Sequence, residues 1–423
     1  MLNSSFQKWF RNQKKKNKIT TKVDYLSNLK KWESNTQNIV HESKKFFKIV
    51  GIKIVSNFYK KDWDQPIIVQ NEFGILGIIK NKKNDKYLLQ AKVEPGNINK
   101  LQLSPSVQAT KSNYSQVHGG KKVPYVNYFL NNKKVKLINQ SEQGFRYLNK
   151  FNYNALIEID KQFKIQSNFF WFSLNDLVKL INKKNIINMD TLSVFSSHIK
   201  KEERDIPLNS TKKLKSWILK YDKKYHMKIN FIPLVNLKDW IYDNKSIFHK
   251  KKKHFSIIGV NNRTNKREIN QWSQPIIKGK DMALAGYIVK KFNNTNHYLC
   301  RYILKPGLKT STLTCTVNTS DIKNYNVENN LSLFQKKIIK DILLNKKHNI
   351  NSLFDNILSD EGGRFYHCQI RYKAIFLNAN FKINIPPTYI WVSQNQMINM
   401  IKNKKIDIEA RLLFGCINLK NIK

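Results

Sequence analysis

The stretch from Tyr87 to Tyr128, YLLQAKVEPGNINKLQLSPSVQATKSNYSQVHGGKKVPYVNY, concentrates the side chains that could do chemistry. Strand alternation puts Tyr87, Leu89, Ala91 and Val93 on one face. Gln90, Lys92 and Glu94 then form a polar row on the other. Pro95-Gly96 turns the chain, and Gln108, Thr110, Asn113 and Tyr114 follow. Next comes His118-Gly119-Gly120, where paired glycines let backbone approach a ligand, then Lys121, Lys122 and Tyr125. A second polar cluster is Ser141-Glu142-Gln143-Gly144. Glu94, His118, Tyr114 and Glu142 are candidate proton carriers, the residue types of general acid–base catalysis. Lys92 and Gln108 add a cation and an amide to this set, and Lys121 and Lys122 add two more cations. On local grounds alone the stretch also fits a solvated strand and an Asn-rich loop.

Standard catalytic signatures are missing: GxGxxG, the P-loop, HExxH and GxSxG do not occur. The histidines are scattered without metal-ligand spacing, His249 and His254 being the nearest pair. No protein-bound metal is expected.

The elements that must position these residues occur twice. Trp9, Leu29-Lys30-x-Trp32, His41, Phe47 and Gly51 recur 208 residues later as Trp217, Leu237-Lys238-x-Trp240, His249, Phe255 and Gly259. Trp63-x-Gln65-Pro66-Ile67-Ile68 recurs at an offset of 209, Pro95-Gly96 at 211, Ser141 and Gly144 at 218, and Trp171-x-Ser173 at 220. Rare residues matching in order over most of the chain indicate a tandem duplication. The expected modules are residues 1–205 and 206–423, with the boundary in KKEERDIPLNSTKK. Trp9 draws the amino terminus into the repeat, so it is expected to be structure and not a leader.

Within each copy, residues 75–79, 87–93, 154–159 and 374–377 read as strands. Ser173-Leu-Asn-Asp176 and Ser393-Gln-Asn-Gln396 read as boxes capping amphipathic helices. Each copy is therefore a mixed α/β module. The copies differ where chemistry was found: Gln90, Lys92 and Glu94 correspond to Arg301, Ile303 and Lys305, and His-Gly-Gly has no counterpart. A duplicated fold needs its core twice and a catalytic face once. The working pocket is assigned to copy one, and Lys305→Ala in copy two is expected to do little.

At these residues the chain resembles the NDP-hexose 2,3-dehydratases. LLQAKVEPGNINKLQLSPSVQATKSNYSQVHGGKKVPY, SEQG and NMDT are similar to the family's first repeat. SDEGGRFYHCQIRY and Tyr389-Ile390-Trp391 are similar to its second. The resemblance implies two tandem Nudix-like α-β-α modules from gene duplication, assembled as a homodimer with one working pocket and one remnant. It also implies a hydro-lyase acting on dTDP-4-keto-6-deoxyglucose, with a downstream 3-ketoreductase. No redox cofactor is required, because the substrate's ketone is the electron sink. Gln90, Lys92, Gln108, Thr110, Asn113, Lys121, Lys122, Tyr125, Gln143 and Trp63 are the candidate substrate contacts, with Trp63 or Tyr125 stacking the thymine. In copy two Lys305-Pro306-Gly307 and Thr316-Val317-Asn318-Thr319 depart from the family's pattern.

A Nudix-like fold raises nucleotide-sugar hydrolysis as a rival. That chemistry needs clustered carboxylates in the pattern GX5EX7REXXEEXG. The sole Arg-Glu dipeptide, Arg267-Glu268, is not followed by the Glu-Glu pair. A nucleotide-sugar-binding protein without turnover is a further alternative.

Composition supplies the remaining bounds. The chain has 423 residues and a net charge of +47, and only nine of its 76 cations are arginine. A nucleic-acid reader usually uses arginine for forked contacts. Here lysine rises together with Asn and Ile along the whole chain, which reads as a compositional bias over a globular pattern. Nucleic-acid binding is kept as an alternative but not expected. No apolar run approaches a membrane span, and the four cysteines lack a CxxC pair, so a cytoplasmic protein is expected.

Overall fold

The computed structural model describes residues 4–116, 121–131, 135–160, 163–265, 269–327, 331–344, 351–378 and 381–422. The expected strands all form, within Gly74–Asn81, Lys86–Val93, Phe151–Ile159 and Gln369–Leu377. Both capping boxes form as well. Ser173 and Asp176 cap each other across the first turn of Leu174–Ile181, and Ser393 and Gln396 do the same for Gln394–Lys402.

Each module contributes one large mixed sheet. In the first, Gly74–Asn81 lies between Phe151–Ile159, which runs parallel to it, and Lys86–Val93, which runs antiparallel. In the second, Ala283–Phe292 sits in the same way between Gln369–Leu377 and Thr295–Ile303. Helices Met189–Ser197 and Ile408–Ile417 pack together and against these sheets, joining both modules in one apolar core. Every residue of Met189–Ser197 is buried. That explains its weak amphipathicity, since a helix covered on all sides needs no polar face.

Each module also has a smaller sheet, and here the modules exchange strands. Ile19–Asp24 pairs antiparallel with Phe255–Thr264 of the second module, with Ile19 opposite Thr264. In return Met227–Ile232 pairs with Lys48–Ser56 of the first. The repeated tryptophans fasten the exchange: Trp32 donates its indole N–H to the Ser273 carbonyl (2.8 Å) and Trp240 to the Asp64 carbonyl (2.9 Å). Trp9 and Trp217 play a different part, anchoring the helices Ser4–Lys16 and Thr211–Lys224 to the carbonyls of Ser167 and Pro387.

The modules meet again at their Pro-Gly turns. The Gly96 N–H donates to the Gly362 carbonyl (2.8 Å), and the Gly307 N–H to the Gly144 carbonyl (2.6 Å). A β-carbon at Gly96 would stand 1.7 Å from the Phe365 carbonyl oxygen, and one at Gly307 the same distance from that of Tyr147. Only glycine permits so close an approach. Among the described residues no helix is long and apolar enough to cross a membrane.

Candidate active site

Strand Lys86–Val93 delivers Lys92 and Glu94 to the module seam. Strand Val107–Thr110 pairs with Gly74–Asn81 and not with Lys86–Val93, so Gln108 reaches Glu94 by its side chain. The Gln108 amide donates to Glu94 Oε1 (3.2 Å), and the Lys92 ammonium lies 3.5 Å from the same oxygen. Asn188 caps helix Met189–Ser197 and donates to Gln108 Oε1 (3.2 Å), holding that amide in one orientation. Asp190, in the first turn of this helix, is buried nearby.

Glu142 follows strand Ile138–Ser141 and accepts a hydrogen bond from the Asn152 amide (2.6 Å). Among the described residues, the remaining oxygens of Glu94 and Glu142 are buried without a hydrogen-bond partner. Groups of this kind need an explanation, and a reacting ligand is one. Burial first, and then the charge of Glu361, pushes the Glu142 carboxyl up to about 7, against the pull of Arg411 and Lys150. Asp190 is raised well above the carboxylate range by burial and by Glu361, Glu142 and Glu94. Lys150, whose ammonium donates to the Glu72 carbonyl, is depressed to about 8 by burial although Glu142 and Glu361 oppose this. Carboxyls crowded in a dry site cannot all ionise, so some carry protons near neutral pH.

The duplicate site is built from the same places with opposite chemistry. Lys305, at the position of Glu94, is fully buried between Asp407 (2.9 Å) and Glu409 (2.6 Å). Burial works against its charge, but the two carboxylates outweigh it and its proton affinity is raised. Asp407 and Glu409 hold the places of Asn188 and Asp190. An internal ion pair thus occupies the ground where the first site gathers carboxyls.

A sequence profile of the NDP-hexose 2,3-dehydratases matches residues 3–197 and 211–417. The chain belongs to the NDP-hexose 2,3-dehydratase family. As such it is a hydro-lyase of deoxysugar biosynthesis. It is 30% identical to a dTDP-4-dehydro-6-deoxy-alpha-D-glucopyranose 2,3-dehydratase of Saccharopolyspora spinosa, over 98% of this chain and 91% of that one. A dehydratase of the same name from Amycolatopsis orientalis is 31% identical over 93% and 85%. An ADP compounds hydrolase structure aligns with 38% of this chain and 84% of its own, at 11% identity and a TM-score of 0.23.

In this dehydratase the sequence-predicted residues fall into several groups. Glu94, Lys92 and Gln108 come together, and Glu142 lies in the same field of charge. Gln90, half-buried, shares the strand with Lys92. Thr110 and Ser112 share a hydroxyl contact, and Ser112 donates to Glu72, whose charge also reaches Tyr114. Asn113 sits beside Tyr114 in the short helix Lys111–Tyr114. Lys121 and Lys122 are exposed, and His118, Gly119 and Gly120 lie outside the described residues, as does Arg267-Glu268. The Tyr125 ring packs on Phe163 and Phe169 while its hydroxyl accepts from the Gln166 N–H (3.0 Å).

Two placements follow from the seam. Gln143 donates to Asp360 (2.8 Å), on the second module's side. Trp63 donates to Gln65, which donates to the Phe145 carbonyl, and the Phe145 ring lies 5.4 Å from the Lys305 ammonium. Trp63 therefore borders the duplicate site. Its counterpart Trp272 is tied through Gln274 to the Gly363 carbonyl, on the Glu94 side. Sequence reasoning did not nominate Trp272, Asp190, Lys150, Glu361 or Arg411. The repeat offset was the available signal, but it pairs each residue with its twin and is silent about which module's pocket the twin serves.

Proposed function

We propose that this dehydratase eliminates water across C2 and C3 of dTDP-4-keto-6-deoxyglucose. The product is the nucleotide-linked 3,4-diketo-2,6-dideoxyhexose. The C4 ketone acidifies the C3–H, and Glu94, beside Lys92 and Gln108, takes that proton. Lys92 stabilises the enolate oxygen. The C2 hydroxyl departs as water with a proton from Glu142, whose acid form persists to about pH 7. The resulting C3 enol tautomerises to a ketone by protonation at C2. Lys121 and Lys122 are assigned to the pyrophosphate and Trp272 to the rim of the pocket. The reading rests above all on one contrast: among the described residues Glu94 and Glu142 each keep an oxygen with neither a hydrogen-bond nor an ion-pair partner, whereas Asp407 and Glu409 of the second site are both paired to Lys305.

The two modules are assigned a Nudix-like origin, dividing near residue 205, and the working unit a cytoplasmic homodimer. A 3-ketoreductase takes the diketo product onward. Incubation of the purified protein with dTDP-4-keto-6-deoxyglucose and such a reductase, followed by mass analysis, tests the reaction. A nucleotide sugar lacking one oxygen supports it, and Glu94→Gln should slow turnover roughly a hundredfold or more. Intact substrate with the wild-type protein sinks the proposal. Full activity in Glu94→Gln moves the chemistry away from this pocket.

A further inference from the structure

Two turns cross the seam, built alike but differing in one telling side chain. In the first module the Arg146 and Tyr147 N–H groups both donate to the Gln143 carbonyl (2.9 Å each). In the second, those of Arg364 and Phe365 donate to the Glu361 carbonyl (3.2 and 3.0 Å). The Phe145 carbonyl accepts from the Gln65 amide and the Gly363 carbonyl from the Gln274 amide, each at 2.8 Å. Backbone and anchor are thus repeated, yet where the first turn carries Phe145 the second carries Gly363.

Each turn lies on the other module's pocket. A β-carbon on Gly144 would meet Lys305 and Leu308, and one on Gly362 would meet Asn97. In the duplicate site the Phe145 ring takes up the space over the Lys305 ammonium, 5.4 Å from it. In the first site a β-carbon on Gly363 would stand 2.8 Å from Glu361 Oε1 and 3.9 Å from Glu94 Oε1. Among the described residues, and apart from the glycine's chain neighbours, the three atoms nearest that point all belong to these two carboxyl groups. The φ of Gly363 lies outside the left-handed region, and no backbone presses on it as the Phe365 carbonyl presses on Gly96. Neither strain nor packing therefore demands glycine here. The remaining use of glycine is to let the backbone stand close to a ligand.

We propose that Gly363, supplied by the second module, sets the size of the first module's pocket: lacking a side chain, it leaves room for the hexose ring to bring its C3–H against Glu94. Phe145 fills the same room in the duplicate site. The inference rests on the dehydratase reading, in which Glu94 takes that proton. Glu361, whose other oxygen accepts from the Tyr147 hydroxyl (2.8 Å), bounds the space beside Gly363. One module thus supplies the reacting groups and the other supplies the space in which they react.

Calorimetric binding of dTDP and of dTDP-glucose to Gly363→Phe and Gly363→Ala tests this. The first ligand has no hexose, and the second has no ketone to start the reaction. Gly363→Phe, which copies the duplicate site, should weaken dTDP-glucose roughly a hundredfold or more while sparing dTDP, and should abolish turnover. Gly363→Ala places its methyl group against a carboxylate that can swing aside, so it should fold normally and raise KM roughly tenfold. The mirrored change Phe145→Ala should leave kcat/KM unchanged. Undiminished dTDP-glucose affinity in Gly363→Phe overturns the proposal. So does an equal loss of both ligands in the two Gly363 variants, which marks a structural role, or an equal fall in turnover in Phe145→Ala. If the wild-type protein leaves dTDP-4-keto-6-deoxyglucose intact, the dehydratase reading fails. Even then, dTDP-glucose binding lost selectively in Gly363→Phe supports the size limit.

Discussion

Burying Lys305 between Asp407 and Glu409 changes what its removal does. Sequence alone predicts that Lys305→Ala is nearly silent. The structure corrects this, because the substitution leaves the buried Asp407 and the half-buried Glu409 without their cation, at a cost of about 3–5 kcal/mol. We expect a clear fall in melting temperature, with turnover per folded molecule largely retained. Glu142 makes the converse case. Its carboxyl holds a proton up to about 7 when folded, against 4.5 ordinarily, so folding takes up a proton between those values. Stability from this group is therefore full below that window and is lost as pH rises through it. Glu142→Gln, uncharged throughout, should match the wild type at about pH 5 and melt higher above about pH 7, while losing activity. His254, depressed to about 4 by burial and by Arg146, His249 and Lys253, shifts stability in the opposite sense. The difference between the two proteins' melting curves across pH is thus the quantity to measure.

At the level of the elements, the Pro-Gly turns set the geometry of the seam. Gly96→Ala would drive a methyl group into the Phe365 carbonyl and push the Glu361 turn off the first pocket. We expect roughly 3 kcal/mol of destabilisation and loss of turnover even in the folded fraction, read by chemical denaturation alongside the activity assay. The strands and capping boxes were legible in the sequence because alternation and S-x-x-D/Q spacing are local signals. Lys92 and Glu94 were legible together because strand alternation puts them on one polar face, and Gln108 because it follows in the same polar stretch of sequence. Asp190 was not, since an acidic residue in a helix's first turn looks like ordinary dipole compensation. Glu361 was legible only within the polar cluster Ser359-Asp360-Glu361-Gly362, as a turn or a pocket wall, and Trp272 only as the repeat partner of Trp63. Their service to the first pocket depends on how the modules are joined, and a repeat pattern aligns each module only with its twin.

Over the whole molecule, the shared core and the exchanged strands make each module incomplete alone. Residues 1–205 lack the strand Met227–Ile232 that borders Lys48–Ser56, and residues 206–423 lack Ile19–Asp24. We expect calorimetry to show a single unfolding transition. Either half expressed alone should be insoluble, and the two halves co-expressed should purify together. A cooperative melt from one isolated half would contradict this. The large positive charge is carried by lysines spread along the chain, leaving the seam with its own local balance of acids and cations.

The exchange of strands also imposes an order on birth. Ile19–Asp24 leaves the ribosome early, yet its partner Phe255–Thr264 is encoded more than two hundred residues downstream. At about 5–20 residues per second, the nascent strand waits some tens of seconds with its hydrogen-bonding edge unfilled. Its polar residues, Thr20, Thr21, Lys22 and Asp24, suit such a wait, because charged and hydroxylated edges discourage pairing with passing chains. Translation must therefore pass Thr264 before the strand Ile19–Asp24 can find its partner.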